Sequence, residues 1–208
     1  MSIVFSVLTF VFIFLFSVTF HEFAHGWTAY KLGDSTPKDH GRLTLNPLAH
    51  IDILGTVILP FLLLSVSMRL GFPFAFGYAK PVPINPYHFK NPKKGMGLVG
   101  AAGPLSNILA AFFFSLISRM HLGLISEVCA WGVIINVILA VFNIIPVPPL
   151  DGSRILAAML PGHMVRKYLK LEPYGFFIII VLFFSGFLKW LILPVVNLSL
   201  HILLGNGY

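Results

Sequence analysis

The sequence predicts an all-α polytopic membrane protein, with about five or six transmembrane helices in a single domain over residues 1–208. Three observations predict it. The chain of 208 residues is 57% apolar and only 10% charged, whereas soluble domains carry roughly 25% charged residues. Its apolar residues form long runs, most of them near the roughly 20 residues that a membrane-crossing helix needs. The polar stretches between the runs are too short to form a separate soluble domain.

The first apolar run, residues 3–30, is predicted to be a retained span. It has neither the basic start nor the small-residue cleavage site of a signal peptide. It contains HEFAH at residues 21–25. On a helix, two histidines four residues apart share a face and can bind one zinc ion, and the glutamate between them can act as a general base. His21 and His25 are therefore predicted metal ligands, and Glu22 is the predicted base.

Four further apolar runs follow, and each is predicted to be mainly helical: 51–68, 96–118, 127–145 and 174–204. Pro194 in the last run predicts either one kinked helix or two short ones. Residues 71–86, GFPFAFGYAKPVPINP, contain too many glycines and prolines for a regular helix. Irregular backbone at membrane depth survives only where protein or a wet cavity surrounds it. This stretch is therefore predicted to be a re-entrant extended or β segment beside the active site, with an interfacial aromatic loop as the alternative.

A third metal ligand is required, because a catalytic zinc usually takes three protein ligands and a water. The chain offers only seven acidic residues. Asp151 follows the run 127–145 among prolines, and an acid packed against apolar residues is a functional candidate by default. It is the preferred third ligand, and Asp52 at the start of the run 51–68 is the competitor. Asp34, in a polar loop, is expected to be solvated, as is His88.

Two motifs together resemble the site-2 protease family of intramembrane zinc metalloproteases. They are HEFAH and, at residues 143–152, NIIPVPPLDG, which complete the family's paired HExxH and NxxPxxxxDG patterns. Further stretches resemble its compact bacterial branch without a PDZ domain: GRLTLNPLAHID at 41–52, FGYAKPVPIN at 76–85 and AAGPLSNILAA at 101–111. The resemblance implies one Zn²⁺ per chain, with His21, His25 and Asp151 as its ligands and Glu22 as the catalytic base.

The resemblance also implies a zinc metalloendopeptidase that cuts peptide bonds within or near transmembrane segments, in regulated intramembrane proteolysis. The expected partners are single-pass membrane-protein substrates and the lipid bilayer. A substrate helix must unwind before it is cut. Residues 76–84 are expected to pair with the unwound strand by β-augmentation, with the Val82 amide as one donor.

Three more polar residues are weaker candidates for the site. Asn143 and Asn107 match polar positions of the family motifs, and Asn143 is a candidate to hold the substrate carbonyl or the oxyanion. The alternative for both is a hydrogen bond between helices of a membrane bundle. His50 lies with Asn46 and Asp52 at a span boundary. It either organises the site from outside the ligand set or belongs to an interfacial polar cluster.

The two metal motifs must meet on one side of the membrane. Three simple crossings after HEFAH would place Asp151 on the opposite side, so the chain is expected to return between residues 51 and 95. With that return, eleven of the fourteen basic residues share one face, in the loops 31–50, 80–95 and 146–173. The positive-inside rule makes this face cytoplasmic. The prediction is a multi-pass cell-membrane protein with its N-terminus outside and its active site toward the cytoplasmic half.

Two other functions compete with proteolysis. One is a non-proteolytic membrane zinc-binding scaffold, which would have no need of the intact Glu22. The other is a transporter, which broken helices favour but which leaves HExxH unexplained. The net charge of +7 is attributed to cytoplasmic loops and not to nucleic-acid binding. The physiological substrate and the oligomeric state are left open by the sequence.

Overall fold

The structure is a computed structural model that describes residues 3–58, 61, 62, 65, 69, 77 and 79–205. Its described part is helical and contains no strand. Short 3₁₀ turns occur at Pro47–Ala49, Pro86–His88 and Glu172–Tyr174, and a π-helical turn at Ile53–Ile58. The α-helices are α1 (Ile3–Lys31), α2 (Thr36–Asp39), α3 (Pro92–Ser118), α4 (Leu124–Asn143), α5 (Asp151–Met159), α6 (Gly162–Leu169), α7 (Gly175–Phe184) and α8 (Phe187–Leu204).

Four helices of the described part, α1, α3, α4 and α8, are long and apolar enough to cross a membrane. The predicted all-α polytopic membrane fold is therefore confirmed. The predicted span 51–68 is described only to residue 58 and at 61, 62 and 65, so the total number of spans stays a prediction. Of the predicted re-entrant segment 71–86, residues 71–76 and 78 lie outside the described residues.

Helix α3 is the centre of the bundle and contacts α1, α4, α5 and α8. The side chain of Asn91 caps it by accepting a hydrogen bond from the Lys94 amide, and Pro92 fills the first turn, where no amide donor is needed. Pro104 lies within the helix without ending it. Small residues along α3 allow the neighbouring helices to approach closely, as is common in membrane bundles.

Contacts between α1 and α3 show that the two helices run antiparallel. His25 Nδ1 lies 2.7 Å from the Val99 carbonyl oxygen, and Asn107 Nδ2 donates to the Ser17 carbonyl at 3.3 Å. The short turn at 119–123 makes α4 antiparallel to α3. The chain therefore enters α3, and later leaves α4, at the end of the bundle where it left α1. This arrangement meets the requirement for a return, and it lets the residues after α4 reach the end of α1.

The C-terminal run 174–204 forms two helices, and the break is at Gly186 and not at Pro194. Gly186 adopts a left-handed conformation with φ of 76°, which favours glycine and separates α7 from α8. Pro194 lies inside α8. Helix α8 packs on the bundle through Val196, which joins a buried cluster with Ala111, Val133 and Val137.

Candidate metal centre

The three residues predicted to bind metal converge at one point between α1 and α5. His21 Nε2 lies 3.0 Å from His25 Nε2 and 3.0 Å from Asp151 Oδ2. His25 Nε2 lies 3.2 Å from the same carboxylate oxygen. All three residues are buried. One turn of α1 supplies the two imidazoles, and the first residue of α5 supplies the carboxylate.

A tight turn after α4 delivers Asp151 to this point. The turn contains a cis peptide bond between Pro148 and Pro149. Gly152 is packed so closely that a Cβ there would stand 2.0 Å from the Ile144 carbonyl oxygen. A side chain at position 152 would force the start of α5 away from the Ile144 carbonyl. The prolines and the glycine that marked this stretch in the sequence are thus the residues that shape the turn.

The tautomers of both histidines follow from their hydrogen bonds. His21 Nδ1 lies 2.6 Å from Asn107 Oδ1, and His25 Nδ1 lies 2.7 Å from the Val99 carbonyl oxygen. Both partners only accept hydrogen bonds, so each Nδ1 carries the proton and each Nε2 presents a lone pair. Two lone pairs and a carboxylate oxygen therefore face one another, an arrangement that repels unless a cation lies among them.

The donor set and its spacing fit zinc. Four ligands in a tetrahedron about Zn²⁺, each at about 2.0–2.1 Å, lie about 3.3 Å apart, close to the 3.0–3.2 Å between the three donors. Gly103 of α3 leaves room beside them, because a Cβ there would stand 2.4 Å from His25 Nε2 and 2.6 Å from His21 Nε2. Two imidazoles and one carboxylate leave a fourth position open, as a catalytic zinc requires.

Glu22 lies beside the donor set. Its carboxylate and the two imidazoles each offer a ligand atom, and these atoms all lie within 4.8 Å of one another. Glu22 Oε2 accepts a hydrogen bond from the Val82 amide at 3.2 Å. The carboxylate is therefore near enough to exchange a proton with water at the open position. The amide of Val82, which the sequence predicts as a donor to a substrate strand, donates here to Glu22.

Asn107 is one member of a buried polar network that links α1, α3 and α4. Its Nδ2 donates to Asn136 Oδ1 at 2.8 Å, and Asn136 Nδ2 donates to Ser17 Oγ at 2.8 Å. Because Asn107 Oδ1 faces His21, this network fixes the orientation of an imidazole. Asn136 and Ser17 were not predicted from the sequence. Both could have been predicted, because polar side chains inside apolar spans usually form hydrogen bonds across helices.

The other sequence candidates make their hydrogen bonds to partners outside the donor set. Asn143 Nδ2 donates to the Leu139 carbonyl of its own helix at 2.9 Å, and no contact among the described residues joins it to the donor set. Asp52 Oδ1 accepts from the Gly55 amide at 2.7 Å, so Asp151 and not Asp52 meets the histidines. His50 is 2% exposed, and its Nε2 lies 2.9 Å from the Thr44 carbonyl oxygen.

The expectation that Asp34 is solvated was wrong. Asp34 is fully buried. It accepts hydrogen bonds from the Asn85 amide at 2.7 Å, from His88 Nδ1 at 2.8 Å and from Thr36, through its amide at 3.1 Å and its hydroxyl at 2.5 Å. Burial raises the pKa of Asp34, but these hydrogen bonds outweigh burial and leave the pKa below its usual value. A buried carboxylate with four donors is a structural anchor, and here it holds residues 85–88 against the end of α1.

Comparisons with known proteins give consistent matches. A family model described as Peptidase family M50 matches residues 117–186. The protein named "Putative zinc metalloprotease YwhC" from Bacillus subtilis is 38% identical over 193 residues, which are 87% of this chain and 82% of the relative. Rip2 from Mycolicibacterium smegmatis, which has the same descriptive name, is 29% identical over 182 residues, covering 85% of this chain and 67% of the relative. No solved structure matches the chain.

Proposed function

This chain belongs to peptidase family M50, the site-2 protease family, and from that premise we propose that it hydrolyses peptide bonds within or near the transmembrane segments of its substrates. It is a membrane zinc metallopeptidase. The proposal adds that its substrates are single-pass membrane proteins cleaved in regulated intramembrane proteolysis. The observation that carries it is the convergence of His21, His25 and Asp151 inside the apolar bundle.

The depth of the donor set supports a substrate that lies in the membrane. His21 and His25 precede Lys31, the last residue of α1, by ten and six residues. At 1.5 Å per residue they lie about 15 and 9 Å from that end of the helix, in a hydrocarbon core about 30 Å thick. The Lys31 ammonium lies 5.4 Å from the centre of the Trp27 ring, a pairing typical of the membrane–water interface. A site below that interface is in reach of another transmembrane segment.

The residues of this chain divide the chemistry between them. When bound, Zn²⁺ supplies Lewis-acid chemistry that lowers the pKa of water to about 7 and polarises the scissile carbonyl. His21, His25 and Asp151 would hold the ion. Glu22 takes the proton from the attacking water and returns it to the leaving nitrogen. Asn143 is the candidate to hold the carbonyl oxygen once a substrate is bound.

The unwound substrate needs partners for its freed backbone groups. Residues 79–85 lie outside any helix and contact Glu22 through Val82. Pro81 and Pro83 keep this stretch from becoming helical. An extended segment beside the base supports pairing between a substrate strand and this stretch.

We place the active site toward the cytoplasmic half of the cell membrane, with the N-terminus outside. The described parts of the loops 31–50, 80–95 and 146–173 adjoin the end of the bundle where α1 and α4 finish and α3 begins. Most of the chain's basic residues are in these loops, and Lys and Arg are enriched on the cytoplasmic side of membrane proteins.

The decisive experiment compares wild type with Glu22→Gln, both purified in detergent and given a panel of single-span substrates. The variant keeps all three metal ligands but lacks the base, so it should retain zinc and lose cleavage by at least about 100-fold. Glu172→Gln, which changes an exposed acid outside the site, is the matched control and should cleave as wild type does. Wild type that binds zinc and single-span partners but cuts none of them would instead support the scaffold function.

A further inference from the structure

A short segment, residues 80–85, crosses α1 at the level of Glu22; it is called the strap. Four of its six residues carry an amide N–H, and three of these donate to acceptors elsewhere in the chain. Lys80 donates to the His50 carbonyl at 2.9 Å, Val82 to Glu22 Oε2 at 3.2 Å and Asn85 to Asp34 Oδ2 at 2.7 Å. The central bond reaches the catalytic base, and the outer two fix the strap on either side of it.

The amide of Val82 is itself held in place. Val82 is 6% exposed and rests on Gly26, one turn beyond Glu22, where a Cβ would stand 3.3 Å from Val82 Cγ1. Pro81 and Pro83 fix their own φ angles and restrict the residue before each of them to extended conformations. The direction of the Val82 N–H is therefore set by covalent geometry and by packing on α1.

A glutamate side chain has three rotatable bonds, so a base at its end is mobile unless something holds it. A hydrogen bond from a fixed amide to Oε2 limits those rotations and leaves Oε1 as the oxygen that takes the proton. Catalysis depends on such preorganisation, because small displacements of a reacting group are costly in rate. We propose that the backbone amide of Val82 is a positioning group for Glu22, and that His50 and Asp34 act on the site by anchoring the strap.

This inference rests on the proposed function, in which Glu22 is the general base. It gives His50 a role that needs no contact between its imidazole and the metal ligands, because its carbonyl holds one end of the strap. It also separates two uses of the strap. Pairing with a substrate strand would affect binding, whereas positioning of Glu22 affects the chemical step.

The first test removes the amide N–H. Val82→Pro lacks the donor, and Val82→Ala keeps it and serves as the reference for the lost side chain. With a single-span substrate in detergent, the kcat of Val82→Pro should fall about 10- to 100-fold below that of Val82→Ala, part of the 10²–10⁴-fold that a positioned base contributes. KM and zinc content should stay within about two-fold, since neither depends on a positioned base. Equal kcat values, or a loss carried by KM alone, would overturn the proposal.

Ile84→Pro is the matched control, because no hydrogen bond from the Ile84 amide is found among the described residues. Its kcat should fall much less than that of Val82→Pro, and any loss from weaker pairing with the substrate strand should appear in KM. A fall as large as that of Val82→Pro would mean that a stiffer strap, and not the lost N–H, impairs the enzyme. That result would also overturn the proposal.

A second pair of variants moves the strap without removing the donor. Gly26→Ala adds a Cβ that Val82 Cγ1 must yield to by a few tenths of an ångström, and kcat should fall several-fold at unchanged KM. Adding Val82→Ala removes Cγ1 and should restore most of that loss; failure to restore it counts against the inference. Glu22→Gln in the same assay keeps the two hypotheses apart. If it cleaves like wild type, the proposed function fails, whatever the strap variants do.

Discussion

At the scale of single residues, the side chain of Asn107 shows how a neutral group tunes a metal site. Its Oδ1 accepts from His21 Nδ1 at 2.6 Å, which leaves Nε2 unprotonated, and its Nδ2 is held by Asn136 Oδ1 at 2.8 Å. If the Asn107 carboxamide were rotated by half a turn, its Nδ2–H would face the Nδ1–H of His21. The partners on α1 and α4 therefore determine which atom meets the imidazole.

Asn107→Ala should lower zinc affinity about 10- to 100-fold, the usual cost of removing a group that orients a metal-binding histidine. The measurement is competition with a chelator of known affinity on the purified protein. Asn197→Ala, at an exposed position on α8, is the control and should bind zinc as wild type does. If Asn107→Ala keeps wild-type affinity, the imidazole is oriented by something else.

The residues of the metal centre differ in how far the sequence could predict them. His21, Glu22, His25 and Asp151 were predictable because zinc chemistry demands those side chains and few others are present. The hydrogen bond from Val82 was not, because every residue except proline carries the same amide and no residue type marks it. Only the folded backbone shows which amide meets the carboxylate.

At the scale of elements, the strap and the end of α1 are joined by Asp34. The loop that carries it looked solvated because its neighbours in sequence are polar. In the fold, residues 85–88 cover the carboxylate and supply two of its donors. Burial of this kind depends on a segment about fifty residues away, so local composition could not predict it.

The position of the break at Gly186 was also not predicted from the sequence. Pro194 is the stronger helix breaker in isolation, but proline is tolerated inside a membrane helix.

Asp34→Asn should destabilise the protein by about 1–3 kcal/mol at neutral pH, because it weakens hydrogen bonds to a buried charged group. The folded-state pKa of Asp34 lies below its ordinary 3.8, so this stabilisation is fully present above about pH 4. It is lost as the pH falls from there through the folded-state pKa. Thermal unfolding in detergent should therefore show a gap between wild type and variant that closes with acid.

The control for this prediction is Asp39→Asn, which changes an exposed carboxylate in the same loop and should leave the unfolding temperature almost unchanged. A gap for Asp34→Asn that widens with acid would contradict the pKa direction. A gap of zero at neutral pH would mean that the four donors contribute no net stability.

At the scale of the whole molecule, the bundle has two chemically different ends. The metal centre lies nearer the end where α1 finishes, and the described basic loops adjoin that end. At the opposite end, Arg119 donates to the carbonyls of Ile202 and Leu203 at 2.5 and 2.8 Å, so its charge serves to cap α8. Arg119 thus has a structural use at the end of the bundle opposite the metal centre.

Labelling of intact cells with a membrane-impermeant maleimide tests the proposed orientation. In a Cys129→Ser background, which removes the native cysteine, Leu122→Cys lies at the exposed turn between α3 and α4 and should react. Lys38→Cys, exposed at the other end, should react only after the membrane is permeabilised. The reverse pattern would place the active site toward the outside.

The absence of a side chain at Gly103 is a requirement for the metal centre. The space beside the two imidazoles exists because α3 carries a hydrogen atom there in place of a methyl group. One added carbon would overlap both imidazoles that are predicted to bind the metal, while the outer surface of the bundle would stay as it is. We expect Gly103→Ala to lose zinc binding and cleavage while keeping its outer surface, which would make it a tool for isolating the single-span substrates that we propose.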